Sequence, residues 1–406
     1  MAANEMSFNQ VATVLNAIQN IVTGKNNVAT IDTSTFCTAA DITLKTGYEK
    51  VYNAISMVLG RTIFSIRPYD RKLKGLEMTD GQFKMHTRKL QILDTTFEDN
   101  DTVKYPVHWD AGETVPSGNG ESVDQQVIKK SEIVQTNFYG MNTYQDHYTI
   151  FDEQLDVAFS SPEELGRFFS MITMNISNMF EQAREDFARY TLVNFLGALY
   201  DLGSGRVIHL LTEYNAVCGL TGTDNALTAT SVYLPANFPA FIKWFAARMR
   251  QISQEMTERS IKYQSAINSK YITRHTPINR QRIFMFAPAL NQIDTMVLSS
   301  VFHDSYLKQA YTEAVTYWQG INQPDQIDIY PSYMGPSGTV IKGSRANSSG
   351  IFGVIMDEEA CGYTIVKSTM KNAPYNARAD YQNFFLKDYH KNFNDVSEKA
   401  VLLVLD

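Results

Sequence analysis

Ser161-Pro162-Glu163-Glu164-Leu165-Gly166-Arg167-Phe168-Phe169 opens the stretch that decides the fold. Serine at a helix N-cap offers its side-chain oxygen to a free backbone N–H. Proline at the first helical position lacks an N–H that would go unpaired, and a glutamate three positions after the cap can reach back to it. Behind this start Leu165, Phe168, Phe169, Ile172, Ile176, Met179, Phe180, Ala183, Phe187 and Tyr190 recur three and four apart, the spacing of one apolar helix face. The pattern carries on through Leu196 and Leu199 to Gly203. Such a helix runs about 60 Å, so it needs something long to lie against.

Upstream, the rhythm is different. Residues 1–60 are polar and rich in small side chains, with two short amphipathic helices predicted from Val11, Val14, Leu15 and Ile18, ended by Gly24, and from Tyr48, Val51, Tyr52, Ile55 and Val58, ended by Gly60. The stretch 25–38 between them has no period, and the whole segment reads as an extended arm. From 61 to about 150, short alternating runs predict strands at 87–95, 103–109, 127–135 and 144–150, with turn clusters at 98–101 and 116–120. A long polar excursion poor in large aliphatics cannot bury itself, which predicts a projecting β-hairpin.

Downstream, helices are expected from Asn237-Phe238-Pro239, burying Phe241, Ile242, Phe245, Ile252 and Met256, and after Pro288, with Leu290, Ile293, Met296, Val297, Val301 and Leu307. Buried strands are expected at 283–286, 327–330, 351–356 and 400–405, and a long alternating one at 381–391. Helices and strands mix without a regular βαβ rhythm, so the class is α+β.

The 406 residues carry 44% hydrophobic and 19% charged side chains with a net charge of −7. That composition excludes global disorder and the basic footprint of a nucleic-acid reader. Cys37, Cys218 and Cys361 are odd in number and far apart, so no disulfide framework or CxxC motif is expected. The N-terminus lacks a signal-peptide pattern, and 400–405 is too short to cross a bilayer.

Chemistry is sparse. Gly338 to Gly343 has its lysine before the second glycine instead of after it, which leaves nothing to reach a phosphate and reads as a surface loop. The seven histidines never fall three or four apart, so no single element presents a metal pair. Asp357-Glu358-Glu359 and Glu163-Glu164 are expected at helix N-termini, where negative charge is favoured without any catalytic role. No nucleophile elbow occurs. No catalytic residue, cofactor site or metal site is expected.

Taken in order, the features are a polar N-terminal arm, a long β-excursion, one very long helix opened by Ser161-Pro162-Glu163-Glu164, two later helices, a late long strand and a short apolar final strand. This order resembles the major capsid protein of tailed bacteriophages, the Hong Kong 97-type fold. The resemblance covers nearly the whole chain, in order and proportion rather than in a short motif. It implies an N-terminal arm at 1–60, an extended E-loop at 61–130, a peripheral (P) domain from 131–203 and 351–397, and an axial (A) domain from 204–350 and 398–406. It further implies hexamers and pentamers forming an icosahedral head around double-stranded DNA held without sequence-specific binding. Portal, scaffold and decoration proteins would be partners, assembly would take place in the host cytoplasm, and no membrane is involved. The segment 262–282 departs from the family, being longer and more basic than a plain connection, and reads as an inserted loop. The founding member crosslinks a lysine to an asparagine. Lys84, Lys89 and Asn392 are the residues to weigh here, and nothing in their spacing argues for the chemistry.

Charge order along the excursion supplies candidate contacts. Residues 61–89 hold eight cations against three acids, and 94–124 hold eight acids against Lys104. The plain reading is two solvated faces. The sharper one is a basic root (Arg71, Lys72, Lys74, Arg88, Lys89) and an acidic tip (Glu98, Asp99, Asp101) that dock on neighbouring subunits. Two other classes compete. An enzyme with a site assembled from distant residues predicts a deep pocket with several titratable groups. A tail or surface-binding module using the 12% aromatic residues predicts a small closed oligomer.

Overall fold

A computed structural model describes residues 8–24, 32–62, 69–78, 86–93, 132–203, 205–220, 225–267, 271–296, 311–335 and 337–406. Three helices come first, α1 (Phe8–Thr23), α2 (Thr33–Leu44) and α3 (Tyr48–Thr62). A ribbon of β1 (His86–Ile92) and β2 (Ile133–Tyr139) leads to β3 (Asn142–Phe151), the short α4 (Asp152–Ala158) and the long α5 (Pro162–Leu202). The middle of the chain holds β4 (Val207–His209), α6 (Leu210–Cys218), α7 (Phe238–Thr257), β5 (Gln281–Phe286), α8 (Ala287–Met296) and β6 (Tyr311–Val315). Four three-residue strands follow, β7 (Ile327–Ile329), β8 (Ser332–Met334), β9 (Val340–Lys342) and β10 (Ala346–Ser348). The chain closes with β11 (Ile351–Asp357), β12 (Cys361–Asn372), β13 (Tyr381–Asn394) and β14 (Ala400–Val404).

Helix α5 has the predicted length, 41 residues. Ser161 Oγ accepts from the Glu164 backbone N–H at 3.2 Å. The Glu164 carboxylate takes Arg167 instead, at 3.2 Å, so only the serine half of the expected capping box bonds as predicted. The helix is long because it serves two cores. Leu165, Phe169, Ile172, Ile176 and Phe180 belong to one, while Phe187, Leu192, Phe195, Leu196 and Leu199 belong to another. At Gly197 a Cβ would sit 2.7 Å from Ile329 Cγ2, so glycine lets β7 approach the helix backbone.

The second core lies under a five-stranded sheet of order β4-β14-β11-β5-β6, parallel at its two edge pairs and antiparallel between. Alternation along β14 is sharp: Leu402 and Val404 face α5, while Val401 and Leu403 face α7 through Phe241, Phe245 and Met249. Both faces are covered, which is why 400–405 is an unbroken apolar run instead of an alternating one.

The first core contradicts the expected arm. Val11, Leu15 and Ile18 of α1 and Phe36, Ala39 and Ala40 of α2 pack with Val51, Tyr52 and Ile55 of α3 against α5 and against Phe384 and Leu386 of β13. The described part of the first 60 residues is therefore a folded helical layer. Helix α2 was hidden because its Thr- and Ser-rich start reads as loop. Asp32 in fact caps it, accepting the Thr35 N–H at 2.8 Å while Thr35 Oγ1 takes the Asp32 N–H at 2.9 Å. The other face of this core is an antiparallel sheet of order β12-β13-β3.

Two further expectations change. Asp357-Glu358-Glu359 begins no helix; it leads from β11 into the turn before β12. Strand β12 itself was not picked out, because a bulge between Ile365 and Lys367 breaks its alternation. The strand expected at 103–109, the turn clusters at 98–101 and 116–120, and Val297, Val301 and Leu307 lie outside the described residues.

Candidate functional site

Where α5 passes from one core to the other it carries charge. Glu181, Glu185 and Arg189 are all buried there, and the root of the excursion fastens onto them. Arg71 Nη1 donates to Glu181 Oε2 at 2.6 Å, its Nε donates to the Tyr363 hydroxyl at 3.1 Å, and its Nη2 meets Glu77. Glu181 also takes Arg184 at 2.9 Å, and Arg184 continues to Asp388 at 2.8 Å. Asp388 ends the series against His390 Nε2 at 2.6 Å. A ladder of alternating charge thus runs from the excursion root through α5 into β13. Against its own desolvation, the bonds from His390 and Arg184 hold the Asp388 carboxyl below its ordinary value.

Beside it, Glu185 accepts the Tyr69 hydroxyl at 2.9 Å, the Lys72 N–H at 3.2 Å and Arg189 at 2.9 Å. Leu73 adopts φ 59°, a left-handed turn that aims its N–H at Glu313. Met78 N–H then bonds to Tyr363 O at 2.9 Å, joining the root to β12.

The ribbon is held from its other side. Lys89 pairs with Asp395 at 2.9 Å, with Glu398, and with Glu359 at 3.4 Å. Arg274 binds Glu398, Gln91 at 2.8 Å and Ser397 at 2.9 Å. Arg206 donates to Tyr263 O at 3.0 Å and Glu398 O at 2.8 Å. Burial raises the Glu398 carboxyl, while Asp395, although desolvated, is kept low by the Lys89 ammonium. The turn 395–399 is therefore a buried polar hub joining the ribbon to both sheets. The basic excess of 262–282 finds its reason here and in the 357–359 turn, since Arg280 meets Glu358 at 2.7 Å and Arg282 meets it at 2.9 Å.

These contacts correct two of the proposed docking residues. Arg71, with 1% of its side chain exposed, and Lys89, with 16%, are consumed within their own subunit. Counting charge along the sequence could not find partners more than a hundred residues away. Lys72 and Arg88 do reach the surface, and Lys74 is exposed beside Asp70. Glu98, Asp99, Asp101 and Lys84 lie outside the described residues. Asn392 donates to Thr191 Oγ1 at 3.2 Å.

Alternation along the ribbon sends Lys89 and Gln91 toward the hub and Phe138 toward Phe393, 5.5 Å between ring centroids. The opposite face presents Arg88, Leu90, Ile92, Ile133, Gln135 and Asn137, all exposed. Leu90, Ile92 and Ile133 are each about 60% open, an apolar strip that sequence alternation alone did not mark as a surface. It was missed because the excursion was read as poor in large aliphatic residues. A cavity of about 510 Å³ between α4, α5 and β3 is lined by Tyr148, Val157, Phe168, Met171 and Ile172, with Glu153, Glu164 and Arg167 beside them. No three His, Cys, Asp or Glu side chains among the described residues are grouped to hold a metal. No helix among them is long and apolar enough to cross a membrane.

The family model described as Phi29-like phage major capsid protein matches residues 98–404. Among solved structures, a chain in the capsid structure of Staphylococcus phage Andhra is similar at TM-score 0.52 and 11% identity, covering 85% of this chain and 86% of that one. A chain in the capsid structure of the cyanophage P-SCSP1u gives TM-score 0.42 and 11% identity, with 84% and 90% covered. No curated protein matches the sequence.

Proposed function

Because this chain belongs to the Phi29-like phage major capsid protein family, we propose that its copies form the hexamers and pentamers of an icosahedral head that encloses double-stranded DNA. Its role is structural, its copies assemble into a capsid lattice, and its place is the virion. The α+β capsid fold expected from the sequence is the one observed. The enzyme reading has no support.

The observation that carries the finer proposal is the ribbon at the excursion root. One face is locked into the subunit by Lys89 and Gln91, while the other holds Leu90, Ile92 and Ile133 out to solvent. A strip of that kind marks an interaction surface, and in a lattice of identical chains each such contact is repeated many times. Residues 61–130 act as the E-loop, 131–203 with 351–397 as the P domain, and 204–350 with 398–406 as the A domain. Lys72, Lys74, Arg88, Glu98, Asp99 and Asp101 remain the proposed polar contacts between subunits. Portal, scaffold and decoration proteins are the proposed partners, the host cytoplasm the place of assembly, and no catalysis is proposed.

Limited proteolysis tests this reading. Free subunits should be cut first between 79 and 131, and assembled particles should resist at those sites. Equal cleavage in both states would contradict an excursion shielded by neighbours.

A further inference from the structure

A cavity of about 220 Å³ opens where β11, α8 and the segment after β14 begin. Its walls are apolar: Phe286 ends β5, Ile351 and Phe352 start β11, and Leu405 follows β14. Ala229 and Pro288 line it from the exposed side. Two polar side chains share it, Asp325 and Tyr233. Asp325 Oδ2 accepts the Gly350 N–H at 3.2 Å. Among the described residues its Oδ1 takes no donor, no cation pairs with it, and the Tyr233 hydroxyl makes no hydrogen bond. Burial, with the Asp325 charge near it, pushes the Tyr233 phenol up to about 12, so it stays a neutral hydroxyl at ordinary pH.

Both groups are held in place. Asp325 O accepts the Ile351 N–H at 2.9 Å, and Pro324 O accepts the Trp318 N–H at 2.9 Å. Tyr233 stacks on Phe238 with ring centroids 5.7 Å apart. Gly350 holds φ 76°, and a Cβ there would lie 2.8 Å from Leu405 O, so glycine lets this turn meet the segment after β14.

We propose that this cavity binds a small primary amine with a compact apolar body, of the arylalkylamine class. The inference goes beyond the capsid role and does not depend on it. An apolar cavity of about 150 Å³ takes up benzene, so this one admits a single ring with a short arm. An ammonium donates three hydrogen bonds and accepts none, and Asp325 Oδ1 and the Tyr233 oxygen are two open acceptors. Apolar walls with a few fixed polar groups are the make-up of a small-molecule site. The carboxylate repels anions, and a neutral ring leaves it without a cation.

Methyl NMR of the full-length subunit tests this, with benzylamine, benzyl alcohol and benzoate as probes. Benzylamine should shift the Ile351 and Leu405 methyl signals. It should bind about tenfold tighter than benzyl alcohol, the difference a charge-assisted hydrogen bond supplies. Benzoate should leave those signals in place. Asp325→Asn should erase the advantage of benzylamine while benzyl alcohol binds as to the wild type. No shift of either methyl with any probe overturns the site. Equal affinity for amine and alcohol, or an amine advantage that survives Asp325→Asn, overturns the ligand class. Tyr233→Phe covers the case in which Asp325→Asn fails to fold. It should weaken benzylamine about threefold, and an unchanged affinity counts against the assignment.

Discussion

Arg71 Nη1 lies 2.6 Å from Glu181 Oε2, and neither side chain has more than 3% of its surface exposed. The pair joins the excursion root to the middle of α5, at the step between two hydrophobic cores. Removing the guanidinium leaves the buried Glu181 carboxylate with Arg184 as its remaining cation and takes Arg71 from Glu77. Arg71→Met should therefore cost about 3–5 kcal/mol, read as a lower denaturant midpoint of the free subunit. The double variant Arg71→Met, Glu181→Leu should recover much of that loss. Equal loss in single and double variants would show that the guanidinium acts mainly through Glu77 and Tyr363.

Phe180 closes the first core on α5. Phe180→Ala should destabilise the subunit by about 3–5 kcal/mol, as for a large buried aromatic. An unchanged unfolding curve would show that this face of the helix is assigned wrongly. The helix was expected to need a long partner. It meets β13 and also the three N-terminal helices, so truncation should loosen α1 and α2 as well, visible as faster amide exchange there.

Gln19 is fully buried in α1, and among the described residues neither polar atom of its amide has a hydrogen-bond partner. An unsatisfied buried polar group costs about 1–3 kcal/mol. Gln19→Leu should raise the unfolding midpoint. A lower midpoint would mean that the amide finds a partner in solution.

The ladder also predicts an acid response. Asp388 has its pKa lowered by His390 and Arg184 against desolvation, so the unfolded chain binds its proton more readily than the folded one. Its contribution is full above the unfolded carboxyl pKa of about 3.9 and is lost as pH falls below it. Asp388→Asn should flatten the stability profile of the free subunit between about pH 5 and pH 3. A profile as steep as wild type would place the acid response elsewhere.

Much of this was legible because it is local. The 41-residue helix followed from its cap and its three-and-four spacing, and β14 from an unbroken apolar run covered on both faces. The three-residue strands β7 to β10 are mostly too short to leave a period. Helix α2 was lost because Asp32 and Thr35, which look like loop residues, form its cap. The site was least legible. Arg71, Lys89 and Arg274 read as free basic residues, and only the fold brings Glu181, Asp395 and Glu398 to them. Charge counts locate a region rich in cations, but burial decides which of those cations remain for a neighbour.

Electron microscopy of the purified full-length chain under assembling conditions tests the central claim most directly. The proposed function predicts large isometric shells or extended sheets of hexameric and pentameric capsomers. A field of uniform small particles, under every condition in which the chain stays folded, would contradict it.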